Sequence, residues 1–274
     1  MIQVETIKLN NGMEMPVLGF GTYLSDNTHI GKYVEQAIRA GYRLIDTAAY
    51  YHNEAAVGYS IHKSGVARED IFLTTKVMSD GYDATIIALN DSFTKLAVDY
   101  CDLVLIHWPT NDSIGTYQAL ESFVKDGRVR AIGLSNFNSE ETEEILNIAS
   151  VKPVVNQVET HINFQQKKLH QYLSERDIVH QAWSPLGEGA LLGNSVVKEL
   201  ANKYKKTPAQ IMLRFLIKEQ IVVIPKSTRL EHIKNNIDIF DFSITNEDMN
   251  LLRLLDKKQS ISGWPQSMDI EKEY

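Results

Sequence analysis

Eight short apolar runs recur along the chain, and each is followed by a segment whose apolar residues repeat every three to four positions. Continuous apolar runs are typical of strands buried on both faces, while the longer repeat is typical of helices. The alternation therefore predicts parallel strands joined by helices, and eight of them predict an α/β fold, the (β/α)8 TIM barrel. The predicted strands are residues 17–20, 43–47, 71–75, 101–107, 129–134, 154–158, 178–182 and 221–224.

Several helices have distinct signals. Residues 84–96 carry an apolar face, and Asn138 is the predicted N-cap of a helix whose first turn is acidic. Two helical segments, 195–204 and 207–219, lie between the seventh and eighth strands, where the simplest barrel has one. Another, at about 245–256, follows the last repeat. The sequence thus predicts two helices beyond the eightfold plan.

A β-hairpin is predicted before the first strand. Asn10, Asn11 and Gly12 separate residues 5–9 from residues 14–16, and Asn and Gly accept the positive φ angles of tight turns. We expect this hairpin to plug the floor of the barrel. The tail, 257–274, has no clear period and is predicted to be a loop. Because no linker divides the chain, one domain spanning residues 1–274 is expected.

Composition narrows the functional classes. With 43% hydrophobic and 23% charged residues, the 274-residue chain is an ordinary globular protein, and no apolar run approaches the ~20 residues of a membrane span. The start lacks the layout of a signal peptide, so a cytoplasmic location is expected. One cysteine, Cys101, excludes an internal disulfide and a thiolate metal cluster. A net charge of −7 argues against nucleic acid or an anionic membrane, which favours a small-molecule ligand.

Ionisable residues stand at the ends of three neighbouring predicted strands. Asp46 ends the second strand, Lys76 the third and His107 the fourth, and Tyr51 follows Asp46 by five residues. Each alone has an ordinary explanation, such as a helix cap or a hydrogen bond to a carbonyl. Since the carboxyl ends of barrel strands converge on one mouth, the combination favours a functional site.

These residues belong to motifs that cover nearly the whole chain. The motifs are GYRLIDTAAYYHNE at 41–54, LIHWP at 105–109, GLSNF at 133–137, NQVE at 156–159 and IPKS at 224–227. Together they resemble the aldo-keto reductase superfamily, and in particular its bacterial 2,5-diketo-D-gluconate reductases and related reductases of small carbonyls. The resemblance implies an NAD(P)H-dependent reductase of aldehydes and ketones on a (β/α)8 barrel, active as a monomer.

The resemblance places a catalytic tetrad on Asp46, Tyr51, Lys76 and His107. Hydride delivery to a carbonyl carbon builds negative charge on oxygen, which requires a proton donor within hydrogen-bond reach. Tyr51 would donate the proton, and the Lys76 ammonium would lower the pKa of the phenol from its ordinary value of ~10. Asp46 would hold Lys76 charged, and neutral His107 would orient the carbonyl. Tyr50 is the alternative proton donor. Tyr51 is favoured because the resemblance places the tyrosine five residues after the aspartate, which is Asp46.

A nicotinamide cofactor is implied without a Rossmann domain, because no complete Gly-x-Gly-x-x-Gly follows the first strand. The resemblance implies a dinucleotide extended across the barrel mouth. The implied contacts are Ser135, Asn136 and Gln157 for the carboxamide, Trp183 for the face of the nicotinamide ring, and Ser184 and the Leu186 backbone for the pyrophosphate.

The expected cofactor is NADPH. Lys226 and Arg229 lie at the start of a helix after the eighth strand, and two cations together with the N–H groups of a helix start favour an anion such as the 2′-phosphate of NADPH. NADH remains an alternative cofactor. His232 stands where the family usually has arginine, and an imidazole binds a phosphate less strongly than a guanidinium does. Asn235 likewise replaces a frequent glutamate. The implied contacts are Lys226, Ser227, Thr228, Arg229, His232, Asn235 and Asn236.

The substrate pocket is expected to be open, because only a short loop separates the fourth strand from the next helix. Tyr23 and Met78 stand where many relatives have tryptophan, so a tight aromatic wall is not expected. We expect a broad preference for small aldehydes, dicarbonyls or keto-sugars. The candidate substrate contacts are Tyr23, Tyr50, Met78, His107, Trp108 and Trp264.

Two other classes compete with the reductase. Lys76 could form a Schiff base in an aldolase, or the chain could bind the cofactor as a regulatory protein with little turnover. A metal site is not expected, since no His-Glu-x-x-His occurs. His161, His170 and His180 are interpreted as loop or helix-surface residues.

Overall fold

Eight parallel strands form the centre of the computed structural model, which describes residues 4–23 and 28–263. Each predicted apolar run overlaps one of them, and the predicted barrel is confirmed. The strands are β3 (Gly19–Gly21), β4 (Leu44–Asp46), β5 (Phe72–Val77), β6 (Leu103–Ile106), β7 (Ile132–Ser135), β8 (Val155–Glu159), β9 (Val179–Trp183) and β10 (Val222–Val223).

The sheet curls until its two ends meet. Each strand pairs in parallel with the next one along the chain, from β3 to β10. At the seam, the Val223 N–H donates to the Val17 carbonyl at 3.0 Å and the Gly21 N–H donates to the Pro225 carbonyl at 3.1 Å. Because all strands run in one direction around the barrel, their carboxyl ends open on a single mouth.

Helices connect the strands, and the signals in the sequence locate their ends. The helices are α1 (Ile30–Ala40), α2 (Glu54–Lys63), α3 (Tyr82–Leu96), α4 (Ser113–Lys125), α5 (Ser139–Ile148), α6 (Lys167–Ser174), α7 (Ser195–Tyr204), α8 (Pro208–Lys218), α9 (Leu230–Ile237) and α10 (Asn246–Arg253). Asn138 caps α5 as predicted: its side chain accepts from the Glu141 N–H at 2.9 Å, and the Glu141 carboxylate accepts from the Asn138 N–H at 2.9 Å. Both α7 and α8 lie between β9 and β10, and α10 follows α9, which confirms the two extra helices.

The predicted hairpin consists of β1 (Thr6–Lys8) and β2 (Glu14–Pro16), paired antiparallel. Gly12 in its turn has a φ of 87°, which favours glycine. Leu9 and Met15 are buried and pack in one cluster with apolar side chains from the starts of the barrel strands. The hairpin therefore closes the floor, and the open mouth lies at the opposite end.

The interpretation of the histidines as loop or helix-surface residues is wrong for His180, which lies in a strand. His161 lies in the loop after β8 but is buried, as His180 is, and His170 is a partly exposed residue of α6. His180 lies in β9 and faces α6, where its Nδ1 is 3.2 Å from the Nδ1 of His170, and its Nε2 is 2.7 Å from the Thr160 hydroxyl. A polar residue of a strand can be buried against the surrounding helices when its polar atoms form hydrogen bonds there.

The described part of the chain has no helix both long and apolar enough to cross a membrane. The predicted terminal loop is confirmed for residues 257–263, which contain neither helix nor strand. Trp264, the substrate contact predicted farthest along the chain, lies outside the described residues.

Candidate active site

A buried lysine joins the residues at the barrel mouth. Lys76 lies near the end of β5, and its Nζ donates to Asp46 Oδ1 at 2.5 Å and to the Thr47 carbonyl at 3.0 Å. The third partner is the Tyr51 hydroxyl, which is 3.3 Å from Nζ. The ammonium thus connects the carboxylate of β4 with a phenol in the 3-10 turn Ala49–Tyr51 that follows it.

The charge on Lys76 is stabilised by its partners. Its side chain is fully buried, and burial favours the neutral amine. Asp46 and Tyr51 outweigh burial, and together they raise the pKa of Lys76 above its ordinary value. Lys76 is therefore an ammonium ion at neutral pH, and it is committed to three protein groups.

The pKa of Tyr51 is shifted in the direction opposite to the predicted one. The Lys76 ammonium lowers the pKa of Tyr51, but burial raises it by more, so the net pKa lies above its ordinary value. Sequence reasoning missed the size of the desolvation effect, because the burial of one phenol depends on the whole mouth. At neutral pH Tyr51 is protonated.

His107 is held neutral beside this pair. Its burial, together with the nearby Lys76 charge, lowers the pKa of His107 to about 3. Its ring packs edge-on against Tyr51, with centroids 5.5 Å apart. The buried Nδ1 atom of His107 has no hydrogen-bond partner among the described residues. The site therefore contains an imidazole that carries one proton at neutral pH, as predicted.

Tyr50 and Tyr51 are distinguished by their surroundings. The Tyr50 side chain is 49% exposed, and its ring packs edge-on to His107 at 6.1 Å. Tyr51 is packed against Tyr23, with ring centroids 4.9 Å apart, and it is the hydroxyl of Tyr51 that Lys76 contacts. Of the two tyrosines, it is Tyr51 whose hydroxyl lies against the buried ammonium.

A cleft of about 730 Å³ opens over these groups, within the usual size range of small-molecule sites. Most of the residues that the sequence predicted to take part in catalysis or to contact the cofactor or the substrate line this cleft. The predicted residues that line it are Tyr23, Asp46, Tyr50, Tyr51, His107, Trp108, Ser135, Asn136, Gln157, Trp183, Ser184, Leu186, Lys226, Ser227, Thr228, Arg229 and His232.

Four predicted residues of the described chain do not line the cleft. Lys76 lies behind Tyr51, and Met78 is half exposed just beyond β5. Asn235 and Asn236 lie near the end of α9, and Asn236 is buried there. Roles for Met78, Asn235 and Asn236 in ligand binding stay predictions.

An amide at the mouth links the predicted carboxamide contacts. The Nδ2 of Asn136 donates to the His107 carbonyl at 3.0 Å and to the Ser135 hydroxyl at 3.2 Å. Its Oδ1 accepts from the Trp183 indole N–H at 2.8 Å. Gln157 donates both to Asp46 Oδ2 at 2.8 Å and to a neighbouring glutamine. Asn136 thus sets the tilt of the Trp183 ring, a role that the sequence did not indicate.

An acid lies beside one of the cations that line the cleft. Arg229, at the N-cap of α9, forms an ion pair with Glu231 at 3.2 Å, and both side chains are well exposed. Burial lowers the pKa of Lys226 below its ordinary value. Ser227 accepts a hydrogen bond from the Arg229 N–H at 3.1 Å. A phosphate that binds here would compete with Glu231 for the guanidinium.

Further residues at the cleft had no role of their own predicted from the sequence. Glu188, Ile261 and Ser262 line the cleft, and Glu159, at the end of β8, contacts residues 260–262. Glu159 had a signal, since it ends an apolar strand as Asp46 does. Ile261 and Ser262 had none, because they lie in a segment without period.

The chain is similar to known proteins in both sequence and fold. A model of the aldo/keto reductase family matches residues 17–257. The chain is 45% identical over 268 residues to the glyoxal reductase of Bacillus subtilis (strain 168), covering 96% of this chain and 97% of that protein. It is 36% identical over 270 residues to the methylglyoxal reductase DkgA of Escherichia coli (strain K12), covering 97% and 98%. A crystal structure of an aldo/keto reductase from Brucella melitensis superposes with a TM-score of 0.90 at 43% identity, covering 93% of this chain and 100% of that one.

Proposed function

Because this chain belongs to the aldo/keto reductase family, we propose that it reduces aldehydes and ketones to alcohols with a reduced nicotinamide dinucleotide. The observation that carries the proposal is the contact between the Lys76 ammonium and the Tyr51 hydroxyl, beside a neutral His107 in the cleft. The direct test is the loss of NADPH or NADH absorbance with methylglyoxal, an aromatic aldehyde and a keto-sugar. Absence of turnover with all three would contradict the proposal.

The residues of the cleft fit such a dinucleotide. The cleft is lined by two cations, Lys226 and Arg229, and by the flat indole of Trp183. Cations suit the phosphates of such a molecule, and a flat aromatic face suits its planar ring. Gln157 and Ser135 would hold the ring end. The bound dinucleotide would supply the hydride, and the protein would donate the proton.

Tyr51 acts as the general acid in this proposal. Its raised pKa keeps the phenol protonated, which is the form that can donate. As the carbonyl oxygen gains negative charge, the proton moves from Tyr51 Oη to that oxygen. The Lys76 ammonium, 3.3 Å from Oη, stabilises the phenolate that is left, and Asp46 keeps the ammonium in place. Lys76 thus stabilises the conjugate base, which is the effect by which it lowers the pKa of Tyr51, although burial raises that pKa by more.

His107 orients the substrate in this proposal. A neutral imidazole has one N–H, and a hydrogen bond from it to the carbonyl oxygen would place that oxygen near Tyr51. The charge of Lys76 and the burial of the ring both disfavour the imidazolium. The protein therefore keeps a fixed donor there without adding a second cation.

We expect no acid limb from His107 in the pH profile of kcat/KM between pH 5 and 8. Its pKa of about 3 leaves the ring neutral throughout that range, since a lowered histidine pKa moves protonation to more acidic pH. The profiles of the unaltered protein and the His107→Gln variant should have the same shape, although the variant is slower. An acid limb near pH 6 that disappears in the variant would contradict this.

NADPH is proposed as the preferred cofactor. Replacing Arg229 with alanine should lower kcat/KM for NADPH by about tenfold and change the value for NADH little, because a charge-assisted contact with the phosphate is lost. Removing the competing acid with Glu231→Gln should raise kcat/KM for NADPH a few fold. Steady-state kinetics with both reduced cofactors measure this. A strong preference of the unaltered protein for NADH would rule out the proposal.

Small carbonyls, including dicarbonyls, are the proposed substrates. The names of the relatives, glyoxal and methylglyoxal reductase, support this, as does a mouth walled by Tyr23, the half-exposed Tyr50 and Trp108. A panel with activity only on bulky steroids would exclude it. A cytoplasmic location, a monomeric state and a single domain over 1–274 stay predictions.

The geometry of Lys76 argues against the aldolase. A Schiff-base lysine must reach the carbonyl as a free amine, whereas Lys76 is fully buried, charged and hydrogen-bonded to three groups. Borohydride treatment with a carbonyl substrate should therefore leave Lys76 unmodified. A covalent adduct at Lys76 would favour the aldolase instead.

A further inference from the structure

The described chain ends in a short segment along the cleft, residues 257–263, which we call the strap. It has no helix or strand, and most of its residues are exposed. Two of them, Ile261 and Ser262, line the cleft. The base of the strap is held by hydrogen bonds from the Lys257 and Gln259 N–H groups to the Asn163 carbonyl, at 2.9 and 3.2 Å. The tip, residues 260–263, must be held by something else, because it has little apolar surface to bury.

The tip is held by one carboxylate. Glu159 is the last residue of β8, and it is 1% exposed. Its Oε1 accepts from the Ile261 N–H at 2.8 Å and from the Ser262 N–H at 3.4 Å. Its Oε2 accepts from the hydroxyls of Ser260 at 2.7 Å and Ser262 at 2.5 Å. A fifth contact, 2.9 Å long, joins Oε1 to His161 Nε2.

Glu159 and the tip depend on each other. Burial alone would raise the pKa of Glu159, but hydrogen bonds from His161, Ser262, Ile261 and Ser260 lower it to about 2, so the carboxylate is ionised. A buried anion is tolerated only when its oxygens are well supplied with donors. All but one of its contacts come from the tip. If the tip detaches, Glu159 loses most of these donors and the tip loses its acceptor.

The tip also contacts the loop that follows β9. A Cβ added to Gly187 would lie 2.8 Å from the Cδ1 of Ile261, so the two residues are in direct contact. Gly187 itself has a φ of 54°, and its neighbour Leu186 lines the cleft. Glu159 thus contacts Ile261, and Ile261 contacts a loop that lines the cleft. These contacts connect the loop to a residue that does not itself line the cleft.

We propose that Glu159 is a positioning residue that holds the strap tip against the Gly187 loop and thereby slows the release of the dinucleotide. This rests on the proposed function, because it takes the cleft to be the dinucleotide site. Glu159 acts through the strap, so its effect falls on the affinity and residence time of the ligand. When the tip is docked, the loop and the tip together restrict one side of the cleft.

The first test removes the two hydroxyl donors of the tip and leaves its two N–H donors and the Glu159 carboxylate in place. In the double variant Ser260→Ala/Ser262→Ala, the Kd for NADPH, measured by quenching of tryptophan fluorescence, should rise by at least about fivefold. The dissociation rate from stopped-flow displacement should rise by a similar factor, and KM for NADPH should rise more than kcat changes. The double variant Ser260→Thr/Ser262→Thr keeps both hydroxyls and should restore the Kd to within about twofold of the unaltered value.

The matched control is Glu143→Gln. Glu143 is also a carboxylate with two donors, the Tyr172 hydroxyl at 2.6 Å and Arg176 Nε at 3.0 Å, but it lies in α5 away from the strap. Its loss should leave the Kd for NADPH unchanged. An equal rise in Kd for the control and the strap variant would overturn the proposal, since the effect would then be nonspecific.

Hydrogen exchange gives a readout independent of activity. If docking of the tip raises the affinity for the dinucleotide, then binding must favour docking by the same factor, because the coupling of the two equilibria is reciprocal. NADPH should slow amide exchange at Ile261 and Ser262 in the unaltered protein, and the alanine double variant should exchange faster there without ligand. An unchanged Kd in that variant, or no protection by NADPH, would overturn the proposal. If the unaltered protein binds neither NADPH nor NADH, the proposed function itself fails, which is a distinct result.

Discussion

The Tyr51→Phe variant is expected to lose carbonyl reduction by about 10³-fold in kcat, because phenylalanine offers no proton to the developing oxyanion. The ring is retained, so its packing against Tyr23 and His107 should survive. The Kd for NADPH should therefore stay within about twofold of the unaltered value. Steady-state reduction of methylglyoxal and a fluorescence titration measure the two quantities.

Tyr50→Phe is the comparison that separates the two tyrosines. Tyr50 is half exposed, and Lys76 contacts the Tyr51 hydroxyl, so removal of the Tyr50 hydroxyl should leave turnover measurable. If Tyr50→Phe abolishes turnover and Tyr51→Phe does not, the assignment of the acid is wrong.

Replacing Lys76 with methionine should both abolish turnover and destabilise the fold by about 3–5 kcal/mol. The variant leaves the buried Asp46 carboxylate without its cation, and only Gln157 among its described side-chain partners still donates to it. Methionine has nearly the same length, so the loss of packing should be small. Urea unfolding gives the stability, and the methylglyoxal assay gives kcat.

A double variant separates stability from chemistry. Asp46→Asn/Lys76→Met removes both charges, so most of the lost stability should return, because no buried charge is left uncompensated. Turnover should not return, since the phenolate of Tyr51 still has no cation beside it. Recovery of turnover in the double variant would show that the ammonium is not needed for the proton transfer.

Much of the fold could be predicted from local pattern. Apolar runs alternating with helical repeats indicated eight parallel strands, and Asn138 marked the start of α5. The strand ends that carry Asp46, Lys76 and His107 could be placed together because parallel barrel strands share one mouth. Predictions of this kind depend on the covalent order of residues and on the geometry of regular elements.

Other features depended on distances between segments far apart in the chain. The sequence placed two tyrosines side by side, and only the folded protein brings Tyr51 to Lys76. The pattern also gave no indication that Asn136 would hold the Trp183 indole or that His161 and His180 would be buried.

The sequence by itself determined the barrel, the family and the chemical identity of the groups at the mouth. Tertiary structure decided the direction of the Tyr51 pKa, because burial outweighs a neighbouring ammonium only when the whole environment is assembled. It also decided that Glu159 holds residues 260–262, which lie about a hundred positions away. Hydrogen bonds and desolvation act through space, so they follow from the sequence only after the chain has folded.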